Sequence, residues 1–173
     1  NGHHFDFSIV GEPSSAELLG DSIKIGRRGS LSGVVTVTGT QGHVAYPDKA
    51  NNPLPVLAAV ATALSSVRID EASEHFPASN LELTTIDVGN PTSNVIPMSG
   101  SLRFNIRYND RWTPEMLTAW IRERIASVDA RGTEIVFELA GAPSRSFLSP
   151  LSADIDTLSN AIETVTGRRP EYS

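Results

Sequence analysis

The sequence predicts an α+β protein whose main part is a ferredoxin-like βαββαβ sandwich, a four-stranded antiparallel sheet with two helices on one face. Three observations predict this class. Strand-like and helix-like patterns follow one another as strand, helix, strand, strand, helix, strand between residues 29 and 142. Both predicted helices are apolar on one side only. The clearest strand alternates apolar and polar residues, which is typical of a sheet with one covered face.

The composition narrows the class of protein. The 173 residues include no cysteine, 39% are hydrophobic, and the net charge is −6. This balance is typical of a globular domain, and an acidic chain does not suit nucleic acid or an anionic membrane as its main partner. Lack of cysteine excludes disulfides and Cys-ligated zinc. No apolar run reaches the length of a membrane helix and no signal peptide is evident, so we expect a cytoplasmic protein.

The first segment, residues 1–28, is predicted to lie outside the sandwich. Residues 5–10 alternate and then run apolar, which predicts a strand. A Gly-Glu-Pro turn ends this strand and would place Glu12 at the rim of a sheet. At such a place a carboxylate is either a turn residue or a functional group.

Arginines near the start of the sandwich form a candidate anion site. Residues 22–25 alternate as a short strand, and Arg27 and Arg28 follow between two glycines. Arg107 lies on the polar side of a later strand. Arginines bind carboxylates through paired hydrogen bonds, but solvated arginines on turns and strands fit the same pattern.

The first strand and helix of the sandwich enclose a turn that carries a histidine. β-Branched residues dominate residues 30–40, which predicts a strand. The glycines in Gly39-Thr40-Gln41-Gly42-His43-Val44-Ala45-Tyr46-Pro47 suit a sharp turn that presents an imidazole. His43 is either a functional group or a structural histidine.

Asn and Pro at positions 51–53 predict a helix start. Its expected buried face is Val56, Ala59, Val60, Ala63, Leu64 and Val67.

The second half repeats the pattern. Residues 80–88 predict a strand with a bulge near Thr84-Thr85, where the apolar parity changes. Asn94 follows in a loop, as a ligand donor or an Asx turn. A half-buried strand then carries Leu102, Phe104, Ile106 and Tyr108.

A second helix and a last strand complete the sandwich. The helix begins with Thr113 as its cap and Pro114 in its first turn. Its apolar face is Leu117, Trp120, Ile121, Ile125 and Val128. The last strand contains Ile135, Phe137 and Leu139.

The C-terminal segment, residues 143–173, is predicted to be a linker followed by a third helix. The linker covers residues 143–150. Ser152 would cap the helix and Gly167 would end it. Its apolar stripe is Ile155, Leu158, Ile162 and Val165.

Two features of residues 29–142 favour self-association. The first helix is smooth and rich in alanine, and the strand after Thr36 is expected to leave an edge unpaired. The sequence therefore predicts a homodimer.

Several motifs together resemble the bacterial succinyl-diaminopimelate desuccinylases, a family of the dinuclear-zinc aminoacylase and carboxypeptidase clan. The resemblance extends over nearly the whole chain. Its motifs are Ile9-Val10-Gly11-Glu12-Pro13-Ser14-Ser15, Ile25-Gly26-Arg27-Arg28-Gly29-Ser30-Leu31, Gly39 to Pro47, Asn52-Pro53, Ser93-Asn94-Val95-Ile96-Pro97 and Phe104-Asn105-Ile106-Arg107-Tyr108-Asn109.

The resemblance implies hydrolysis of N-succinyl-LL-diaminopimelate to succinate and LL-diaminopimelate, for lysine and cell-wall synthesis, with two zinc ions or cobalt as cofactor. Glu12 would be a zinc ligand. His43 would reach the partner subunit's active site and stabilise the oxyanion. The implied substrate contacts are Arg28, Tyr46, Asn94 and Arg107, with Arg27 and Ser30 nearby.

The sequence departs from the family's full pattern. The His-x-Asp motif, the bridging Asp, the Glu-Glu pair and the C-terminal His ligand of the family are absent from it. We therefore expect a fragment with the end of one catalytic segment (1–28), a lid and dimerisation domain (29–142) and the start of a returning segment (143–173). Such a chain would bind no catalytic zinc and have no activity alone.

Two other functions remain as alternatives to a succinyl-diaminopimelate desuccinylase. One is another deacylase of the clan, such as acetylornithine deacetylase, and the other is a non-enzymatic domain that binds small acids for regulation.

Overall fold

The computed structural model describes residue 2, residues 4–5 and residues 7–173. Its strands are β1 (Ser22–Ile23), β2 (Gly26–Arg27), β3 (Gly29–Thr38), β4 (Gly42–His43), β5 (Asn80–Asp87), β6 (Val95–Ile96), β7 (Ser99–Tyr108), β8 (Glu134–Leu139), β9 (Phe147–Leu148) and β10 (Glu171–Tyr172). Its α-helices are α1 (Leu54–Ser65), α2 (Pro114–Ala126) and α3 (Ala153–Thr166). The chain forms two compact units, Asn1–Arg27 with Phe147–Ser173, and Arg28–Ser146.

The unit Arg28–Ser146 contains a four-stranded antiparallel sheet in the order β5-β7-β3-β8. Strands β3 and β7 pair over their full ten residues. With α1 and α2, this arrangement confirms the predicted βαββαβ sandwich. One detail was wrong: the strand after Thr36 has no free edge, because Thr36 pairs with Ser101 on one side and Val136 on the other. The edges of this sheet are β5 and β8.

The hydrophobic core lies between one face of this sheet and the two helices. Alternate residues of β3 and β7 are buried with residues of α1 and α2. On α1 the prediction was partly wrong, since Leu57 and Ala61 are buried whereas Ala59 is exposed. The buried face is displaced because α1 packs against α2 as well as against the sheet. The opposite face of the sheet carries the polar residues of the same strands.

Two local predictions are confirmed. The pairing of β5 with β7 shifts register between Leu83 and Thr85, which is the expected bulge. The side chain of Thr113 accepts a hydrogen bond from the backbone N–H of Met116 at 3.3 Å and thereby caps α2. At α1, Asn52 accepts from the N–H of Leu54 at 3.0 Å, one residue before the position of the cap.

The other unit differs more from the prediction. Residues 7–10 form no strand and are exposed, because no described strand pairs with them; Asp6 lies outside the described residues. Short ladders instead join β1 to β10 in parallel and β2 to β9 in antiparallel. Strand β9 therefore lies inside the segment predicted to be a linker.

Helix α3 belongs to the same unit and ends as predicted. Gly167 adopts a left-handed φ of 72° and donates its N–H to Glu163. The predicted apolar stripe is not buried throughout, since Val165 is 84% exposed and Ser159 is the buried residue of this helix. No helix in the described part of the chain combines the length and the apolar character that a membrane crossing requires.

Candidate functional site

The turn after β3 requires glycine at two positions because atoms of residues 50 and 51 lie close by. A side chain at Gly39 would collide with the carbonyl oxygen of Asn51, and one at Gly42 would come within 2.6 Å of the Cβ of Ala50. Thr40 and Asn51 exchange backbone hydrogen bonds at 2.9 Å, which hold the turn closed. The predicted sharp turn is thus a consequence of packing and not of positive φ angles.

His43 is exposed and its ring orientation is fixed by the turn. It lies in the two-residue strand β4 and pairs with Val95 of β6. Its Nδ1 accepts a hydrogen bond from the backbone N–H of Ala45 at 3.1 Å. In a neutral imidazole the nitrogen that accepts a hydrogen bond carries no proton. The proton is therefore on Nε2, which can donate a hydrogen bond to another group. The ring of Tyr46, 61% exposed, lies 5.9 Å from the imidazole centre.

Asn94 lies beside the histidine turn. The backbone carbonyl oxygen of Asn94 accepts a hydrogen bond from the N–H of Val44 at 3.1 Å, and Asn94 is exposed. The loop around it is held by Asn90, whose side chain donates to the carbonyl of Val95 at 2.9 Å. The structure therefore brings His43, Tyr46 and Asn94 together, and we call these three residues the histidine corner.

Arg28, Ser30 and Arg107 form a second group, the arginine corner. Ser30 and Arg107 are paired across β3 and β7, and Arg107 is paired in turn with Asn80 of β5. The half-buried Arg28 donates from Nη1 to the carbonyl of Ala78 at 3.3 Å and to Oδ1 of Asn80 at 3.0 Å. Directly paired residues of an antiparallel sheet point to the same face, so Ser30, Arg107 and Asn80 share the uncovered face.

The two corners lie at opposite ends of the same sheet. The arginine corner is at the start of β3, where Gly29 pairs with Tyr108. The histidine corner follows its end, where Thr38 pairs with Ser99. A ten-residue strand is about 30 Å long at ~3.3 Å per residue. One small molecule cannot contact both corners of one chain.

The remaining predicted site residues, Arg27 and Glu12, belong to the other unit. Arg27 is exposed and its guanidinium lies 5.7 Å from the ring centre of Phe147. Glu12 is exposed in an irregular segment. Among the described residues no three His, Asp or Glu side chains are grouped so that they could hold a metal ion.

The residues of both corners are exposed or half-buried. An open groove of about 470 Å³ lies elsewhere in the same unit, between α2 and the end of β8, and it includes none of the predicted site residues. Sequence reasoning missed Asn80, the partner of Arg28. Its only sequence signal is an amide at the start of a predicted strand, which does not identify a contact with a residue 52 positions away.

The peptidase dimerisation domain profile matches residues 25–133 of this chain. The chain belongs to this family. Similar sequences include succinyl-diaminopimelate desuccinylases of Methylorubrum extorquens strain PA1, 49% identical over 172 residues, and of Rhodospirillum rubrum, 49% identical over 175 residues. Each alignment covers 99% of this chain but only 45% and 44% of the relative. The chain thus spans less than half the length of these relatives.

Solved structures confirm the fold. A dipeptidase from Saccharomyces cerevisiae, Dug1p, has a TM-score of 0.71 at 14% identity and aligns with 88% of this chain and 44% of its own. Human carnosine dipeptidase 1 has a TM-score of 0.66 at 14% identity, with 88% and 44% covered. A hydantoinase/carbamoylase-family amidase from Burkholderia vietnamiensis has a TM-score of 0.69 at 17% identity, with 88% and 36% covered.

Proposed function

We propose that this chain is part of a zinc-dependent amide hydrolase that converts N-succinyl-LL-diaminopimelate and water to succinate and LL-diaminopimelate, in lysine and cell-wall synthesis. The proposal is supported by relatives of that name that align with 99% of the chain. In this proposal the chain contributes dimerisation, an oxyanion donor and carboxylate contacts. The enzyme is a cytoplasmic homodimer that acts on a small molecule, and neither nucleic acid nor membrane is its partner.

The observation that carries the proposal is the orientation of His43. Its Nδ1 is occupied by the N–H of Ala45, so the exposed Nε2–H is available as a donor. Amide hydrolysis passes through a tetrahedral intermediate whose oxygen becomes negative, and a fixed donor aimed at that oxygen lowers the barrier. In a domain that only binds small acids for regulation, this fixed donor would have no role.

The separation of the corners supports the homodimer. N-succinyl-diaminopimelate is about as long as four residues of extended chain, roughly 14 Å at ~3.5 Å each. The corners are about twice as far apart along β3. If both corners contact substrate, they serve different active sites, and each active site takes its histidine and its arginines from different subunits. Tyr46 and Asn94 would accompany the histidine, and Ser30, Arg28 and Arg107 would bind a substrate carboxylate.

The described residues of this chain do not by themselves form a site for the catalytic metal. A catalytic zinc ion needs three protein ligands and an open position for water, which it activates as nucleophile. Glu12 is the one ligand we propose here, and the described residues offer no group of three. We therefore assign no metal-dependent step to this chain, and we expect the 173-residue chain alone to bind no catalytic zinc and to have no activity.

Replacement of His43 in the intact protein tests the function. His43→Ala should lower kcat for N-succinyl-LL-diaminopimelate by about 10²–10³, the usual effect of removing one oxyanion donor, while zinc content stays unchanged. His75→Ala is the matched control, since His75 is an exposed histidine of the same unit outside both corners. Activity of His43→Ala close to that of the control would refute the oxyanion role. Preference for N-acetylornithine over the succinyl substrate would instead favour another deacylase of the clan.

A further inference from the structure

A polar cluster around Asp70 closes the long loop between α1 and β5. The Oδ1 of Asp70 accepts from the backbone N–H of Ser79 at 2.7 Å and from Nδ2 of Asn109 at 3.1 Å. Its Oδ2 accepts from Nε1 of Trp112 at 2.6 Å. Asn109 is fully buried and Ser79 is 5% exposed. All three described donors to this carboxylate are neutral, so the cluster is not an ion pair.

The cluster is directly connected to the arginine corner. The backbone N–H of Ser79 donates to Asp70. In the sequence Ser79 lies between Ala78 and Asn80, the two residues that accept the hydrogen bonds of Arg28. Asn80 is in turn opposite Arg107 in the sheet. Fixing the amide of Ser79 therefore fixes the carbonyl of Ala78, which belongs to the same peptide group, and restrains the neighbouring Asn80.

The bonds of Arg28 leave part of its guanidinium for a ligand. Both of its described hydrogen bonds use Nη1. Nη2 and Nε remain able to donate in parallel to the two oxygens of a carboxylate. Such a paired contact depends on the orientation of the guanidinium plane, which the acceptors at Ala78 and Asn80 set.

We propose that Asp70 is a positioning residue that orients Arg28, through Ser79 and its neighbours, for binding of the substrate carboxylate. The inference rests on the proposed function, in which Arg28 contacts that carboxylate. It adds a residue remote from the ligand to the determinants of substrate affinity. A merely structural Asp70 would affect the stability of the unit without any specific connection to Arg28.

The kinetic test uses a double-mutant cycle in the intact protein. Asp70→Asn should raise KM for N-succinyl-LL-diaminopimelate about tenfold, with kcat within about twofold of the wild type. The reason is that the charge-assisted contact between Arg28 and the substrate carboxylate is weakened. In an Arg28→Lys background the same Asp70→Asn change should alter KM less than about twofold. Asp110→Asn is the matched control and should leave both constants unchanged, because Asp110 is an exposed aspartate in the turn that carries Asn109 and Trp112. Equal effects of Asp70→Asn in both backgrounds would overturn the proposal.

A second readout does not depend on activity. The Nε–H signal of Arg28 in ¹⁵N NMR, assigned by its loss in Arg28→Lys, should show an ordered side chain in the wild type and a mobile one in Asp70→Asn. Trp112→Phe, which removes one donor to Asp70 but keeps an aromatic ring, should give a smaller change in the same direction and replaces Asp70→Asn if that variant does not fold. An unchanged Arg28 signal would overturn the proposal whatever the activity. If Arg28 loses order in Asp70→Asn but the wild-type protein has no desuccinylase activity, the positioning role is upheld and the proposed function is refuted.

Discussion

At the scale of single residues, the candidate chemistry depends on backbone that passes too close for side chains. His43 can present Nε2 only because the turn that carries it is held against residues 50–51. Gly42 lies at one of these close approaches, where an added Cβ would be 2.6 Å from the Cβ of Ala50. This distance is much shorter than an ordinary van der Waals contact between two carbon atoms.

Gly42→Ala should therefore disturb the histidine turn. We expect a loss of about 1–3 kcal/mol in the free energy of unfolding, the usual effect of overpacking, together with a lower kcat in the intact protein. Thermal denaturation and steady-state kinetics would measure the two effects. Ala50→Gly removes the opposing methyl group, so the double variant Gly42→Ala/Ala50→Gly should recover most of the kcat. Failure of that rescue would show that the collision is not the cause.

At the scale of elements, a turn in the other unit depends on one carboxylate. Asp21 accepts hydrogen bonds from three consecutive backbone N–H groups, those of Ala16, Glu17 and Leu18, at 2.7–2.8 Å. These bonds favour the charged form and lower the pKa of Asp21 below its ordinary value. This turn follows Glu12 in the sequence.

The lowered pKa of Asp21 predicts how this turn responds to acid. Because the folded-state pKa lies below the unfolded value of about 3.9, the carboxylate stabilises the turn fully above that pH, and this contribution is lost as the pH falls through the folded pKa. A ¹³C titration of Asp21 in the intact protein should give a midpoint below about 3.9, with the amides of Ala16, Glu17 and Leu18 following it. Asp21→Asn should remove the titration of these amides. A midpoint at or above the ordinary value would contradict the role of the three bonds.

Elements were predictable from the sequence where their own pattern determines them. The alternation of Leu102 to Tyr108 identified β7, and the change of parity near Thr84 identified the bulge of β5. Residues 7–10 show the limit, since strand-like periodicity does not reveal whether a partner strand is present. For the same reason β3 was expected to have a free edge, although β8 pairs with it from about a hundred residues away.

The candidate site was predictable in its parts but not in its arrangement. The glycines around His43 indicated the turn, and the polar face of β7 indicated Arg107. That the two lie at opposite ends of the sheet follows from strand order and direction, which periodicity does not give. Asp70 was missed because its hydrogen bonds to Asn109 and Trp112 join residues about forty positions apart.

At the scale of the whole molecule, the distance between the corners is the central feature. The strand that separates the histidine corner from the arginine corner is about 30 Å long, so one chain cannot place both on one small substrate. In a symmetric dimer each of two sites can take one corner from each subunit. This account predicts that defects in the two corners complement each other when they are on different subunits.

Mixed dimers of the intact protein test this claim most directly. Subunits with His43→Ala and subunits with Arg107→Ala, each nearly inactive alone, are dissociated, mixed in equal amounts and reassembled. Half of the dimers should then be mixed. Each mixed dimer has one site with both native residues and one site with neither, so activity should return to about a quarter of the wild type. If the mixture stays as inactive as the two parent variants, His43 and Arg107 of the same subunit serve one site, and the account is wrong.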